Sequence, residues 1–465
     1  MKRVFLLILA LLLTAALFAG CGKTDVSTPT ERAGGTTEGS APSSTLQDTA
    51  AAPNSTFADA TAAPSSTVSD TTAVASETVA PVDEGPRVAE YPVADAPFNP
   101  ASTGMTENML ARSVHYEGDV TRLKAKLEQV FDENYQGQTN VFFFGDSISD
   151  GSGASGPLSF RKLVAKWFTE NAKSETVCQN ASIGATDSYL GVHRVDKDVL
   201  SKEPDIIFIE FINDLDDDFY KASMESLLRK CLSAPTNPAV VLIEMTLKDG
   251  GNCQSAHSAA ARAYGVPVLS YHDAVTPEVE AGNFSFYAIS SDGTHPNNVG
   301  HAWVAEIVTN FLEQVKAAPA TGTVTAFDPA TPSIAGDKYA NAGIYDKDSA
   351  GLTATPVENF TLETQPSRFK KGWATDNGGT ITFEAKFANL GMLYYKTTDG
   401  KTGNVQIMVD GRSMGFVNGN FPNGWGDYPA AVELYTSDEP KMHTVTITVT
   451  SAGRKHFEIL SLLMS

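Results

Sequence analysis

Between Tyr91 and Lys316 two kinds of hydrophobic pattern alternate along the chain. "GDVTRLKAKLEQVFDEN" sets Val120, Leu123, Leu127, Val130 and Phe131 at helical spacing, so one face can pack while the Lys and Glu side chains stay wet. The next run, "NVFFFGD", is apolar without a break, which suits a strand covered on both faces. The alternation then repeats: "SFRKLVAKWFTENA" reads as a helix, "DIIFIEF" as a strand, "SMESLLRKCL" as a helix and "AVVLIEM" as a strand. After them "SAHSAAARAYG" is helix-like, "VPVLSYHD" strand-like, and "NVGHAWVAEIVTNFLEQV" a closing helix. Buried strands interleaved with amphipathic helices predict an α/β fold, a parallel sheet covered on both faces in three layers, over residues 91–316.

After a Pro/Ala/Thr linker at 317–340 the period changes to two. "TITFEAKF" puts Ile381, Phe383, Ala385 and Phe387 on one face, and "TVTITVT" does the same with Val445, Ile447 and Val449. In "VQIMVDGRSMGFV" the Asp410-Gly411 pair signals a hairpin. No helical window of comparable length follows, so residues 341–465 are expected to form an all-β sandwich.

The first 90 residues have neither pattern. "MKRVFLLILALLLTAALFAGCGK" carries Lys2 and Arg3 before an apolar run that closes on Ala19 and Gly20, the layout of an export signal. It resembles a bacterial lipoprotein signal at Leu17, Ala19, Gly20 and Cys21, with Phe18 a departure from the usual Leu. That resemblance implies cleavage after residue 20, lipidation of Cys21 and an extracytoplasmic protein anchored to the membrane. An uncleaved anchor is the alternative, since the run is near the lower length limit for a span. Residues 21–90, rich in Thr, Ser, Ala and Pro, lack the hydrophobicity to offset chain entropy and are expected to be a disordered tether. A coil of this length averages about 45 Å end to end.

Composition narrows the partners. With 34 Lys and Arg against 55 Asp and Glu the formal charge is −21, which argues against nucleic acid because phosphate binding needs a basic surface. Beyond Cys21 only Cys178, Cys231 and Cys253 remain, too few for a disulfide scaffold. A Cys231–Cys253 bridge is possible, free buried thiols are favoured, and no cysteine has metal-ligand spacing.

The chemistry gathers at strand ends, where ligands bind in open α/β sheets. "VFFFGDSISDG" runs from an apolar strand into Gly145, Asp146 and Ser147. A serine there can act as nucleophile while its N–H helps to hold an oxyanion; the competing use is a helix cap. In "SSDGTHPNNVGHAWVAE" Asp292 precedes His295 by three residues, close enough to orient an imidazole that takes the serine proton. His257, His272 and His301 are rival bases, but none has an acid at that offset in a comparable loop. "NASIGATDS" supplies Gly184, and "FIEFINDLDDD" ends a strand on Asn213 and Asp214, where an amide can donate to developing charge or simply make an Asx turn.

In these blocks the domain resembles the SGNH hydrolases, also called GDSL esterases/lipases, over roughly residues 110–316. "FFFGDSISDG", "NASIGATDS", "IEFIND" and "DGTHPN" carry the likeness. The resemblance implies a flavodoxin-like three-layer fold and ester hydrolysis through an acyl-enzyme without metal or cofactor. It also implies Ser147 as nucleophile, His295 as base, Asp292 as its orienting acid, and an oxyanion hole from Ser147, Gly184 and Asn213. Phe211, where the family often has Gly, is a departure that bears on substrate more than on catalysis. Asp146 is expected to be structural.

The second domain looks like jelly-roll accessory units of carbohydrate esterases, although those commonly precede the catalytic domain. "NGNFPNGWGDYP" brings Phe421, Trp425 and Tyr428 to one loop, and Trp373 and Tyr394-Tyr395 lie elsewhere. Such rings stack on sugars or, more often, anchor cores. The expected function is a serine esterase removing acyl groups, acetyl foremost, from polysaccharide, with Trp425 touching substrate. Acyl transfer to a sugar and a non-catalytic carbohydrate-binding lipoprotein are the alternatives.

Overall fold

The computed structural model describes residues 91–319, 322–357 and 359–465; the expected signal, the lipidation site at Cys21 and the tether lie outside the described residues. The first sheet contains β1 (Val114–Tyr116), β2 (Gln138–Gly145), β3 (Glu175–Asn180), β4 (Ile206–Glu210), β5 (Ala239–Glu244) and β6 (Val268–Ser270), in the order β1-β6-β5-β4-β2-β3. Strands β2 to β6 pair in parallel, and β1 joins β6 antiparallel at one edge. At three residues β1 is too short to show a period, so the sheet is mixed rather than wholly parallel.

The unbroken apolar runs do face two cores. Val141 and Phe143 of β2 pack with helices Thr121–Phe131, Phe160–Asn171 and Asn298–Ala317, whereas Phe142 and Phe144 pack on the other side with Ser188–Asp198 and Asp218–Leu232. Two of the longer helices had no sequence signal. Ser188–Asp198 is buried at every position from Ser188 to Val195, so it has no broad polar face to betray its period. Tyr271–Glu280 begins inside the expected strand "VPVLSYHD": β6 stops at Ser270, whose Oγ accepts from Asp273 N at 2.8 Å and caps the new helix.

The second sheet is antiparallel and comprises β7 (Gly343–Tyr345), β8 (Leu352–Val357), β9 (Trp373–Thr375), β10 (Thr380–Lys396), β11 (Asn404–Val409), β12 (Arg412–Asn418), β13 (Tyr428–Val449) and β14 (Phe457–Met464). Ile381, Phe383, Ala385 and Phe387 all point into its core. Its layers share strands: β10 pairs with β8 over its first half and with β14 over its second, and its register to β13 slips between Phe387 and Gly391. Such bulges let a strand bend from one layer into the next. The β11–β12 hairpin turns on Asp410 and Gly411, with φ of 51° and 76°, as the primed two-residue turn requires.

The linker is strapped to the α/β domain. Arg229 donates to the carbonyls of Thr331 and Pro329, Glu225 accepts from Ile334 N and Ala335 N, and Phe327 meets Tyr264 edge to face. Cys178, Cys231 and Cys253 are free thiols, the last two buried.

Candidate active site

The end of β2 is where backbone room matters most. A Cβ on Gly145 would lie 2.1 Å from the Glu210 carbonyl oxygen and 2.8 Å from Ser149 Oγ, so only glycine lets β2 run tight against β4 and turn at once into the short helix Ser147–Asp150. Asp146 caps that helix, accepting from Ile148 N at 3.0 Å, and its other oxygen accepts from Asn213 Nδ2 at 2.8 Å and Asn213 N at 3.2 Å. Burial, reinforced by nearby Glu210, pushes the Asp146 carboxyl well above the usual carboxylate range.

Ser147 Oγ stands 2.9 Å from His295 Nε2, and His295 Nδ1 stands 2.7 Å from Asp292 Oδ2. With Nδ1–H donated to the carboxylate, Nε2 is left to accept the serine proton. Asp292 Oδ1 also accepts from His295 N at 2.7 Å and Thr294 N at 2.9 Å. Partial burial raises the Asp292 carboxyl, but the bonds from His295 and Thr294 outweigh it and hold the group below its ordinary range. The imidazole is 27% and the carboxylate 54% exposed, so the line of three groups opens to solvent. Gly153 packs behind it: at φ +88° its Cβ would fall 2.2 Å from the Pro296 carbonyl oxygen.

Gly184 sits opposite Ser147, its hypothetical Cβ 3.7 Å from the serine Cβ. Among the described residues the N–H groups of Ser147 and Gly184 take no backbone acceptor. Asn213 differs from the expectation of a ready oxyanion donor. Its Nδ2 donates to Asp146 Oδ2 and, at 3.1 Å, to the Thr186 carbonyl, so both amide hydrogens have acceptors.

The rival histidines are engaged elsewhere. His301 Nδ1 accepts from Phe160 N while Nε2 faces the Ser152 carbonyl, His272 Nδ1 meets Thr246 and Thr276, and His257 lies between Asp214 and Glu244. Two residues that sequence reasoning missed hold the strand ends in place. Buried Arg194 donates to the carbonyls of Ala181 and Gly145 and lies 4.1 Å over the Phe144 ring; burial lowers it to about 10 and leaves it a cation. Glu210 accepts from Ser149 N, Ser149 Oγ and Ile212 N, and burial lifts its carboxyl to about 7 against those donors.

In the β domain Trp425 is 67% exposed and stacks on Tyr428 with ring centres 4.8 Å apart, Phe421 edge-on to both. Trp373 and Tyr394 are instead core residues, packed on Phe383 and Phe457.

Residues 143–303 match the model of the GDSL-like lipase/acylhydrolase family. The crystal structure of a two-domain esterase (CEX) active on acetylated mannans is similar to this chain at 29% identity, TM-score 0.70, covering 77% of this chain and 98% of that one. Its complex co-crystallised with mannopentaose is similar at 29% identity and TM-score 0.69, covering 77% and 97%. No curated protein matches the chain. The α/β unit is thus a GDSL-like lipase/acylhydrolase domain. With its β domain the chain is a two-domain serine esterase.

Proposed function

We propose that the protein is an extracytoplasmic esterase, anchored by a lipid on Cys21, that removes acetyl groups from a polysaccharide through an acyl-enzyme on Ser147. The observation that carries this reading is the unbroken line from Ser147 Oγ through His295 to Asp292. Ser147 Oγ attacks the ester carbonyl as its proton passes to His295 Nε2, and Asp292 stabilises the imidazolium. The N–H groups of Ser147 and Gly184 hold the oxyanion, and Asn213 joins them by turning its longer-bonded hydrogen away from Thr186. His295 then protonates the leaving sugar hydroxyl. Water repeats the sequence, giving its proton to His295, and acetate leaves as Ser147 recovers its own.

The polysaccharide assignment is supported by the likeness to the esterase active on acetylated mannans, and Trp425 on Tyr428 offers a flat apolar face for a sugar ring. The signal-like segment and tether support the anchored location. Acetate release from acetylated mannan and turnover of p-nitrophenyl acetate, measured side by side, test the reading. Ser147→Ala should abolish both, and Trp425→Ala should raise KM on the polysaccharide more than on the small ester. Wild type inert on both substrates, or Ser147→Ala still active, overturns it; a Trp425→Ala enzyme with an unchanged KM ratio removes the aromatic platform, and an unchanged membrane fraction for Cys21→Ala removes the anchor.

A further inference from the structure

Behind the Asn213 loop lies a buried cluster that the hydrolytic chemistry does not use. Glu244 ends β5, Cys253 precedes the helix Gln254–Ala263, and His257 lies one turn along it; all three are buried. Cys253 Sγ is 3.5 Å from His257 Nδ1 and 3.6 Å from Glu244 Oε2, and His257 Nδ1 is 3.0 Å from Glu244 Oε1. A tetrahedral zinc ion, with bonds of about 2.0 Å to nitrogen and oxygen and about 2.3 Å to sulfur, spaces such donors about 3.3–3.6 Å apart. The distances from Sγ to His257 Nδ1 and to Glu244 Oε2 fall in that range, while the 3.0 Å approach of Glu244 to His257 Nδ1 is made by its other oxygen, Oε1. His257 Nε2 bonds Asp214 Oδ2 at 2.9 Å, the carboxylate behind the ring that fixes a metal-binding histidine's tautomer. The Phe211 carbonyl lies 3.4 Å from Sγ and offers a further oxygen donor.

From this we infer that Glu244, Cys253 and His257 form a structural zinc site. Sequence spacing hid it because only Cys253 and His257 are close in the chain, four residues apart, and the fold brings Glu244 from the neighbouring strand. The ion then ties β5 and the helix after Cys253 to the segment holding Phe211, Asn213 and Asp214.

The test is metal binding by the untagged protein. Dialysed against zinc and then against metal-free buffer, wild type should retain about one equivalent, and cobalt in its place should show a near-ultraviolet thiolate-to-metal charge-transfer band. Glu244→Gln and Cys253→Ala should lose the retained zinc, and Cys253→Ala the band. Wild type that retains no more zinc than Cys253→Ala, or a cobalt form without the band, overturns the assignment. The wild-type cobalt spectrum decides the matter even where a variant does not fold, and p-nitrophenyl acetate turnover by the same sample reports separately on the Ser147 chemistry.

Discussion

Asp292 holds His295 at two points, through Nδ1 of the ring and through the backbone N–H of the same residue. This double grip follows from the three-residue offset, which curls the loop so that one carboxylate meets both donors. An amide in its place can accept one of these bonds but offers N–H where an acceptor is needed, so the imidazole no longer presents an unprotonated Nε2 to the serine. Asp292→Asn should therefore fold normally and lose on the order of 10⁴ in kcat with little change in KM. A loss under tenfold in steady-state turnover of p-nitrophenyl acetate would show that the orienting role lies elsewhere. At this scale the sequence was legible wherever a residue's chemistry is distinctive and its partner is local, as with Asp292 and His295. It was silent for Arg194 and Glu210, whose partners are mainly backbone groups: the Gly145 carbonyl lies 49 positions from Arg194, and Ser149 N lies 61 positions from Glu210.

Strand ends, more than strands, set the site. Gly145 and Glu210 are register partners at the last rung of β2 and β4, and the close approach there aims the helix that begins at Ser147. A methyl group on Gly145 meets backbone on one side and Ser149 on the other, with no flexible side chain to yield. Gly145→Ala should cost about 1–3 kcal/mol in urea denaturation, the usual penalty of overpacking, and lower kcat by shifting Ser147 relative to His295. An alanine variant with wild-type stability would mean that β2 and β4 can part without strain. Element by element, long patterns were readable because their burial is one-sided or continuous, as in Phe142 to Phe144 and in Ile381 to Phe387. Ser188–Asp198 escaped because burial on nearly all sides erases the amphipathic stripe, and β1 escaped because three residues carry no period.

The two domains share a core. Tyr339 from the strap and Leu393, Leu460 and Leu463 from the β domain belong to the same buried cluster as Tyr189, Val192 and Val195 of the helix Ser188–Asp198 in the α/β domain. The contact is close: a Cβ on Gly391 of β10 would lie 2.1 Å from Tyr189 Oη. Polar links run beside it, with Glu433 bonded to Lys338 and to the Tyr339 hydroxyl, and Lys230 donating to the Ala342 carbonyl at 2.6 Å. Each shared aliphatic side chain contributes about 1.5–3 kcal/mol by burial, and that contribution is lost to both partners when either unfolds. Chains of this size usually melt domain by domain. Here the common cluster should couple them, so that calorimetry of the folded region gives one transition in which esterase activity and near-ultraviolet dichroism are lost together. Leu393→Ala, a cavity in the β-domain part of the cluster costing about 2–5 kcal/mol, should then lower the temperature at which p-nitrophenyl acetate turnover is lost, although Leu393 belongs to the other domain. Two resolved transitions, with the activity midpoint unmoved by Leu393→Ala, would show that the shared cluster joins the domains in space without joining their stabilities.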